Sequence, residues 1–154
     1  MEQTTEYQRA RASLDAHGVF ASSTLGCSMR PLFREGKDIV IVKKCERPPK
    51  KYDVVLYGRA GKCVLHRVVK KCGSLNLIRG DNTYHIERIE DCEILGVLME
   101  FDRGGRHHTV EEKGYLAYSR FWNLIYPIRY AIVHHRSLLA RGARKIFPKR
   151  RKTK

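Results

Sequence analysis

Ser28, His66 and Asp81 are the residues of this chain whose types, taken together, can do chemistry. A serine hydroxyl is a weak nucleophile until a base removes its proton. A histidine, with an ordinary pKa of about 6.5, is such a base near neutrality without strong desolvation. A carboxylate can hold the imidazole in its working tautomer and stabilise the imidazolium that forms. The chemistry of that set is acyl transfer, with amide cleavage as its most demanding form. Each residue also has a plain structural reading. Ser28 can be a turn serine, His66 a satisfied core histidine, and Asp81, followed by Asn82, a turn builder. Cys27, beside Ser28, is a second candidate nucleophile of the same neighbourhood.

The local sequences favour the chemical reading. Ser28 lies in Gly26-Cys27-Ser28-Met29-Arg30-Pro31, where Pro31 fixes its own φ and stiffens the turn, and Met29 offers an apolar contact near substrate or core. His66 stands in His66-Arg67-Val68, after the run Tyr52-Asp53-Val54-Val55. Asp81 is the centre of Gly80-Asp81-Asn82. Any one of these segments is a weak signal. Their order and spacing together are specific. Asp38 and Asp53 read as turn or strand-start residues.

The elements that must position these residues are mainly strands. Asp38–Lys43, Asp53–Tyr57, Cys63–Val69, Ser74–Ile78 and Ile94–Phe101 are rich in β-branched and apolar residues and bounded by Gly, Pro or charged turns. The second and third form a hairpin around Gly58–Lys62, and His107–Val110 reads as a short edge strand. Residues 1–17 suit a short helix closed by Gly18, and Gly18–Gly26 is a mildly apolar lead into the serine segment. From Tyr115 to Phe147 the composition is helical, with one break at Pro127. The predicted organisation is a helical segment over 1–17, a β catalytic domain over 18–112 and a basic, aromatic helical tail over 113–154 with a disordered end.

The three segments, in this order, resemble the LexA/signal-peptidase superfamily of serine peptidases. That family carries S-M-x-P at its nucleophile, then a glycine-bearing turn and a V-x-V strand, a G-D-V-V strand, a strand with K-R or H-R, and a G-D-N box. The likeness spans residues 18–102. It implies a mostly β fold of coiled antiparallel strands, with Ser28 as nucleophile and its backbone N–H as oxyanion donor. His66 stands where many members carry lysine, which resembles the histidine-using branch found among endoplasmic-reticulum and sporulation-type signal peptidases. Asp81 is then the third member. Gly26, Met29 and Pro31 shape the nucleophile turn, and Arg67, Gly80, Asn82 and Asp53 complete the motif. Three positions depart from the pattern, one being Cys27, where the bacterial branch usually has glycine. Gly26 stands where the bacterial branch often has a serine whose hydroxyl joins the oxyanion hole, and Tyr52 replaces the glycine before Asp53.

Charge adds a second theme. The formal net charge is +15 over 154 residues, and it is uneven. Residues 113–154 hold 12 Lys and Arg and no Asp or Glu, whereas residues 1–112 hold 19 and 16. A segment this cationic suits an anionic partner. Its aromatic, Ile and Leu residues favour an anionic membrane surface for residues 115–154 over nucleic acid, and no pattern for reading bases is present. The polar start, Met1–Ala16, is not a signal peptide, and there is no apolar run long enough to span a bilayer. Five cysteines without a C-x-x-C pair read as buried or incidental thiols of a reducing compartment. The adjacent pairs His107-His108 and His134-His135 lack metal-ligand spacing and nearby carboxylate partners, so no metal and no cofactor is expected.

These readings converge on a cytoplasmic serine endopeptidase, without the family's usual membrane anchor and peripheral on the inner membrane face. It would cleave a peptide or protein precursor by a Ser-His or Ser-His-Asp mechanism. The competing reading is an inactive or self-cleaving β-domain that regulates or binds through its basic tail. The Ala60-Gly61 dipeptide resembles the scissile bond of the self-cleaving branch, although it follows the serine instead of preceding it.

Overall fold

A computed structural model describes residues 5–135. The first helix, α1 (Glu6–His17), is set by its ends. Thr5 accepts from the Gln8 N–H while the Gln8 side chain returns to the Thr5 N–H, and Gly18 closes the helix at φ +73°. Its buried face, Ala10 and Leu14, packs against Val42 and Leu56 of the sheet.

Eight strands follow: β1 (Val19–Ser23), β2 (Ile39–Lys44), β3 (Val54–Arg59), β4 (Lys62–Cys72), β5 (Leu75–Arg79), β6 (Glu87–Glu90), β7 (Ile94–Arg103) and β8 (Arg106–Thr109). They pair antiparallel in the order β1-β2-β7-β3-β4-β5-β6, with β8 also on β7. The fold is thus mostly antiparallel β, with helices at both ends, as the sequence predicts. Strand β7 binds the sheet together, since Ile94–Val97 faces β3, Gly96–Asp102 faces β2 and Glu100–Arg103 faces β8. Register shifts between Ile41 and Val42, Leu56 and Tyr57, and Val68 and Lys70 bend the strands locally. One core cluster joins Met29, Leu32 and Phe33 to Val40, Val54, Leu98, Phe101 and Tyr115. A second gathers Val55, Tyr57, Val68, Ile78, Ile94 and Val97.

Three differences from the sequence reading bear on the site. Val19–Ser23 is a strand and not merely a lead, and it lies at the sheet edge. Glu87–Glu90 is also a strand, pairing with β5. The β3–β4 turn is only Ala60-Gly61, with φ +51° and +75°, the two positive values that a tight hairpin of this hand requires.

Helix α2 (Lys113–Leu124) follows β8, and a further helical segment, α3, runs from 126 to 135. Pro127 lacks an N–H and so interrupts the ladder at their junction. Tyr115, Tyr118, Ser119, Trp122, Tyr126 and Arg129 recur at helical spacing and face the sheet. The expected extension to Phe147 and the disordered end at 148–154 lie outside the described residues.

Candidate active site

Between β1 and β2 the Thr24–Asp38 loop carries Ser28. It is closed on itself. Thr24 donates its N–H to the Asp38 carbonyl at 3.0 Å and its hydroxyl to the Arg34 carbonyl at 2.9 Å, and accepts from the Gly36 N–H at 2.7 Å. The Asp38 side chain is fully buried and accepts the Arg34 backbone N–H and both Nε and Nη2 of its guanidinium. Burial opposes its charge, but these bonds win and hold its pKa below the usual carboxylate range. Met29, Leu32 and Phe33 bury the inner side of the loop, so Met29 is a core anchor that also lines the cleft. Pro31 is exposed, and the Arg30–Pro31 peptide is cis. Gly26 adopts φ +80° and donates its N–H to Glu35 at 3.0 Å.

The 80–83 turn clips onto this loop. Asn82 donates its backbone N–H to the Ser28 carbonyl at 2.7 Å and its side-chain amide to the Cys27 carbonyl at 3.2 Å. Gly80 closes the space between serine and histidine. A Cβ at Gly80 would lie 2.6 Å from the Ser28 carbonyl oxygen, 3.0 Å from Ser28 Cβ and 3.0 Å from His66 Nε2. The serine side chain and the imidazole Nε2 therefore border one point, and only glycine leaves that point empty. This G-D-N glycine is required for want of space, not for its backbone angles.

His66, on β4, is 5 % exposed. Its Nδ1 lies 3.2 Å from Glu87 Oε1 and 3.1 Å from the Tyr57 hydroxyl oxygen. A carboxylate only accepts, so its charge beside Nδ1 favours the tautomer protonated there, with the Nε2 lone pair on the side of Ser28. Burial lowers the imidazole pKa, and the Glu87 charge partly offsets this. The net lowering favours the neutral ring, the form a base needs. Tyr57 is itself pushed up, by burial and then by Glu87, so it keeps its proton. Arg59 anchors Glu87 from outside at 3.0 Å.

Asp81 occupies a different network from the one expected of a third catalytic member. Its two oxygens accept Arg67 Nε and Nη2, each at 2.8 Å, and Oδ2 also accepts the Tyr118 hydroxyl at 3.0 Å. The reason is strand alternation. Arg67 follows His66 on β4, so its side chain leaves the opposite face, into a fully buried position that demands a counter-charge. Its burial disfavours the charge, yet Asp81 more than compensates and raises the guanidinium pKa. The carboxylate on the imidazole is Glu87, which the sequence analysis missed. Its strand, Glu-Arg-Ile-Glu, is too charged to read as one. Asp53 is a turn residue, accepting the Lys50 N–H at 2.9 Å.

Around Ser28 and His66 opens a cavity of about 340 Å³. Met29, Phe33, Val40, Val42, Leu56 and Leu65 form its apolar side, while Glu6, Arg59, His85 and Glu87 supply charged or polar edges. Phe20, Ser22 and Ser23 of edge strand β1 also border it.

A family model for Peptidase S24-like proteins matches residues 1–99. The chain belongs to this family. No curated protein matches it significantly. The match covers the S-M-x-P loop, the His66 strand, the G-D-N box and Glu87, and stops before α2. Within this S24-like chain, the helices outside the matched span nonetheless hold the box. Trp122 Nε1 and Arg129 Nη2 donate to the Asp81 carbonyl at 2.8 and 2.9 Å, and Arg67 Nη1 reaches Ser119 at 2.8 Å. Tyr126 hydrogen-bonds the Tyr84 carbonyl at 3.4 Å and lies under the Arg79 guanidinium.

Two smaller readings change. His107 contacts Asp102 at 2.8 Å and Glu100 at 3.5 Å, and His108 contacts Glu112 at 3.0 Å, so these histidines do have carboxylate partners. Among the described residues no group of three or more His, Cys, Asp or Glu is placed to hold a metal ion. All five cysteines are free and none is buried, with Cys27, Cys72 and Cys92 exposed, which corrects the expectation of buried thiols.

Proposed function

We propose that this chain is a serine endopeptidase that acts through Ser28 and His66, with Glu87 orienting the imidazole. The observation that carries the reading is the shared approach of Ser28 Cβ and His66 Nε2 to one point above Gly80. Ser28 Oγ attacks the scissile carbonyl carbon as His66 Nε2 takes its proton. The tetrahedral oxyanion collapses, His66 returns the proton to the amine leaving group, and the C–N bond breaks. Water then attacks the acyl-enzyme, again through His66, and releases the acid. The Ser28 N–H is the oxyanion donor this reading assigns. The substrate is an extended peptide lying along β1, with an apolar side chain in the cavity.

The Ala60-Gly61 bond does not favour the self-cleaving alternative. It sits in a tight turn, where Tyr7 donates to the Gly61 carbonyl at 3.4 Å, and neither residue borders the cavity. The test is acylation by a peptidyl boronate or β-lactam-type probe, read by intact mass. A single adduct is expected on the wild type and none on Ser28→Ala. An adduct that persists in Ser28→Ala, or cleavage of a peptide library by that variant at the wild-type rate, overturns the assignment.

A further inference from the structure

The two helices after β8 have two faces, and the site uses only one. Tyr115, Ser119, Trp122, Tyr126 and Arg129 turn inward to the Arg67–Asp81 pair and its loop. The opposite face presents large apolar side chains to solvent. Phe121 is 58 % exposed, Leu124 77 %, Ile128 64 % and Ile132 54 %. Their spacing of three, four and four residues makes one continuous stripe across the Pro127 junction. Exposure of this kind at four successive stripe positions is a cost unless something covers them.

Charge identifies the cover. The stripe begins beside exposed Arg120, and the sequence from residue 113 onward carries 12 Lys and Arg with no Asp or Glu, nine of them in 136–154, outside the described residues. An acidic protein would need to match both an apolar stripe and unopposed cations. Nucleic acid would use the cations and leave Phe121, Leu124, Ile128 and Ile132 wet. An anionic bilayer uses both, since acyl chains take the apolar stripe and headgroups take the cations. No described helix is long and apolar enough to cross a membrane, so the contact is a docking within the interface plane.

We propose that the outer face of α2 and α3 docks the chain on an anionic lipid surface. The inner face of the same helices holds the Asp81 carbonyl, so docking fixes the cleft at a set height and orientation above the lipid. The inference rests on the exposed stripe and the charge, and stands whether or not Ser28 is an active nucleophile.

The test is co-sedimentation of the full chain with phosphatidylglycerol-containing vesicles and with pure phosphatidylcholine vesicles, across a salt series. Binding is expected only to the anionic vesicles, weakening as salt rises. Leu124→Ser with Ile128→Ser changes solvent-facing positions and should keep the far-UV circular dichroism and Tm. It should lower the partition coefficient by roughly tenfold or more, because each side chain loses its burial in the bilayer. Phe121→Ser is a second variant with the same expectation if the first pair alters folding. No binding to anionic vesicles overturns the proposal. So does binding that the stripe variants leave unchanged, which makes it adsorption by charge alone. A stripe-dependent dimer in sedimentation velocity, or a duplex DNA that binds more tightly than the vesicles in a stripe-independent way, assigns the face or the charge to another partner and also overturns it.

Discussion

His66 and Arg67 are neighbours on one strand, and they head two networks of opposite character. His66 turns into a cleft, loses most of its solvent and shares with the partly exposed Ser28 the space at Gly80 on its Nε2 side. Its carboxylate partner, Glu87, comes from a short, charged strand and retains 14 % side-chain exposure. Arg67 turns the other way and is sealed. Its guanidinium is fully buried and makes five hydrogen bonds to four partners: Asp81 by two, the Tyr52 carbonyl, Tyr115 and Ser119. The first network is left incomplete at Nε2, which is what a base needs. The second is filled, which is what a frame needs. The two meet at Gly80 and Asp81, so the frame sets the position of the empty point beside His66.

The contrast is broken most severely on the His66 side by removing the chemistry itself. Ser28→Ala and His66→Ala should each lower turnover of a cleaved peptide by on the order of 10⁴-fold or more, with no additivity between them. Ser28→Ala should cost little Tm, because that side chain is only partly buried, whereas His66→Ala empties a buried site beside Tyr57 and should lower Tm as well. Steady-state kinetics and thermal melts on the same preparations separate these effects. A large Tm loss in Ser28→Ala would assign that serine to the loop fold.

On the Arg67 side the expected loss is stability. Asp81→Ala leaves a buried guanidinium without its counter-charge, a change that costs about 3–5 kcal/mol. Arg67→Met with Asp81→Leu removes both charges and should recover most of that loss by urea titration. If Asp81 were the orienting carboxylate of the base, Asp81→Ala would instead give a stable protein with the activity defect. This prediction therefore sharpens the assignment of the two carboxylates.

Much of this was legible in the sequence, and the part that was not has a physical cause. β2, β3, β4, β5 and β7 announce themselves through Val, Ile and Leu, because buried strands need them. β1, Val-Phe-Ala-Ser-Ser, and β6, Glu-Arg-Ile-Glu, are edge strands with a solvent-facing side, so their composition is that of a loop. Ser28 and His66 are legible because their motif fixes neighbours within a few residues. Glu87 is not, because it meets His66 through the β4-β5-β6 register across a run of sequence that has no fixed pattern. The tail shows the same limit. Its aromatics read as packing, which is how they sit, but nothing in their spacing names Asp81 as what they pack on. A truncation at Gly114 therefore removes Tyr115, Tyr118, Ser119 and Trp122 from the Arg67–Asp81 pair instead of trimming an appendage.

At the junction of the networks, Gly80→Ala puts a methyl group where the serine side chain and the imidazole converge. The clash includes the Ser28 backbone carbonyl at 2.6 Å, which cannot rotate away as a side chain could. The loop must shift, and a displacement near 1 Å costs about 100-fold in rate. The Tm should fall less than in Asp81→Ala, since the Arg67 pair stays intact. Activity near the wild-type level would show that Ser28 and His66 do not work across that point.

The smallest effect discriminates most finely, because it reads the imidazole itself. Glu87→Gln keeps the size of the side chain and removes its charge. Glu87 raises the His66 pKa against the lowering by burial, so its loss lowers that pKa further. The acid limb of kcat/KM, which reports protonation of the free base, should move to lower pH. The plateau should fall by roughly tenfold, less than the ~10⁴-fold of a wrong tautomer, because Tyr57 still contacts Nδ1. Stability follows with its own sign. A buried histidine whose folded pKa lies below its unfolded value gives full stability above the unfolded pKa, and loses it as pH falls towards the folded one. Glu87→Gln widens that gap, so its Tm should drop below wild type progressively as the pH is taken under about 6.5. Asp81→Asn, measured alongside, acts on His66 only through a weaker and more distant charge, and its acid limb should move less. If the limb instead follows Asp81 and ignores Glu87, the orienting carboxylate lies in the frame, and the division between the two networks of β4 fails.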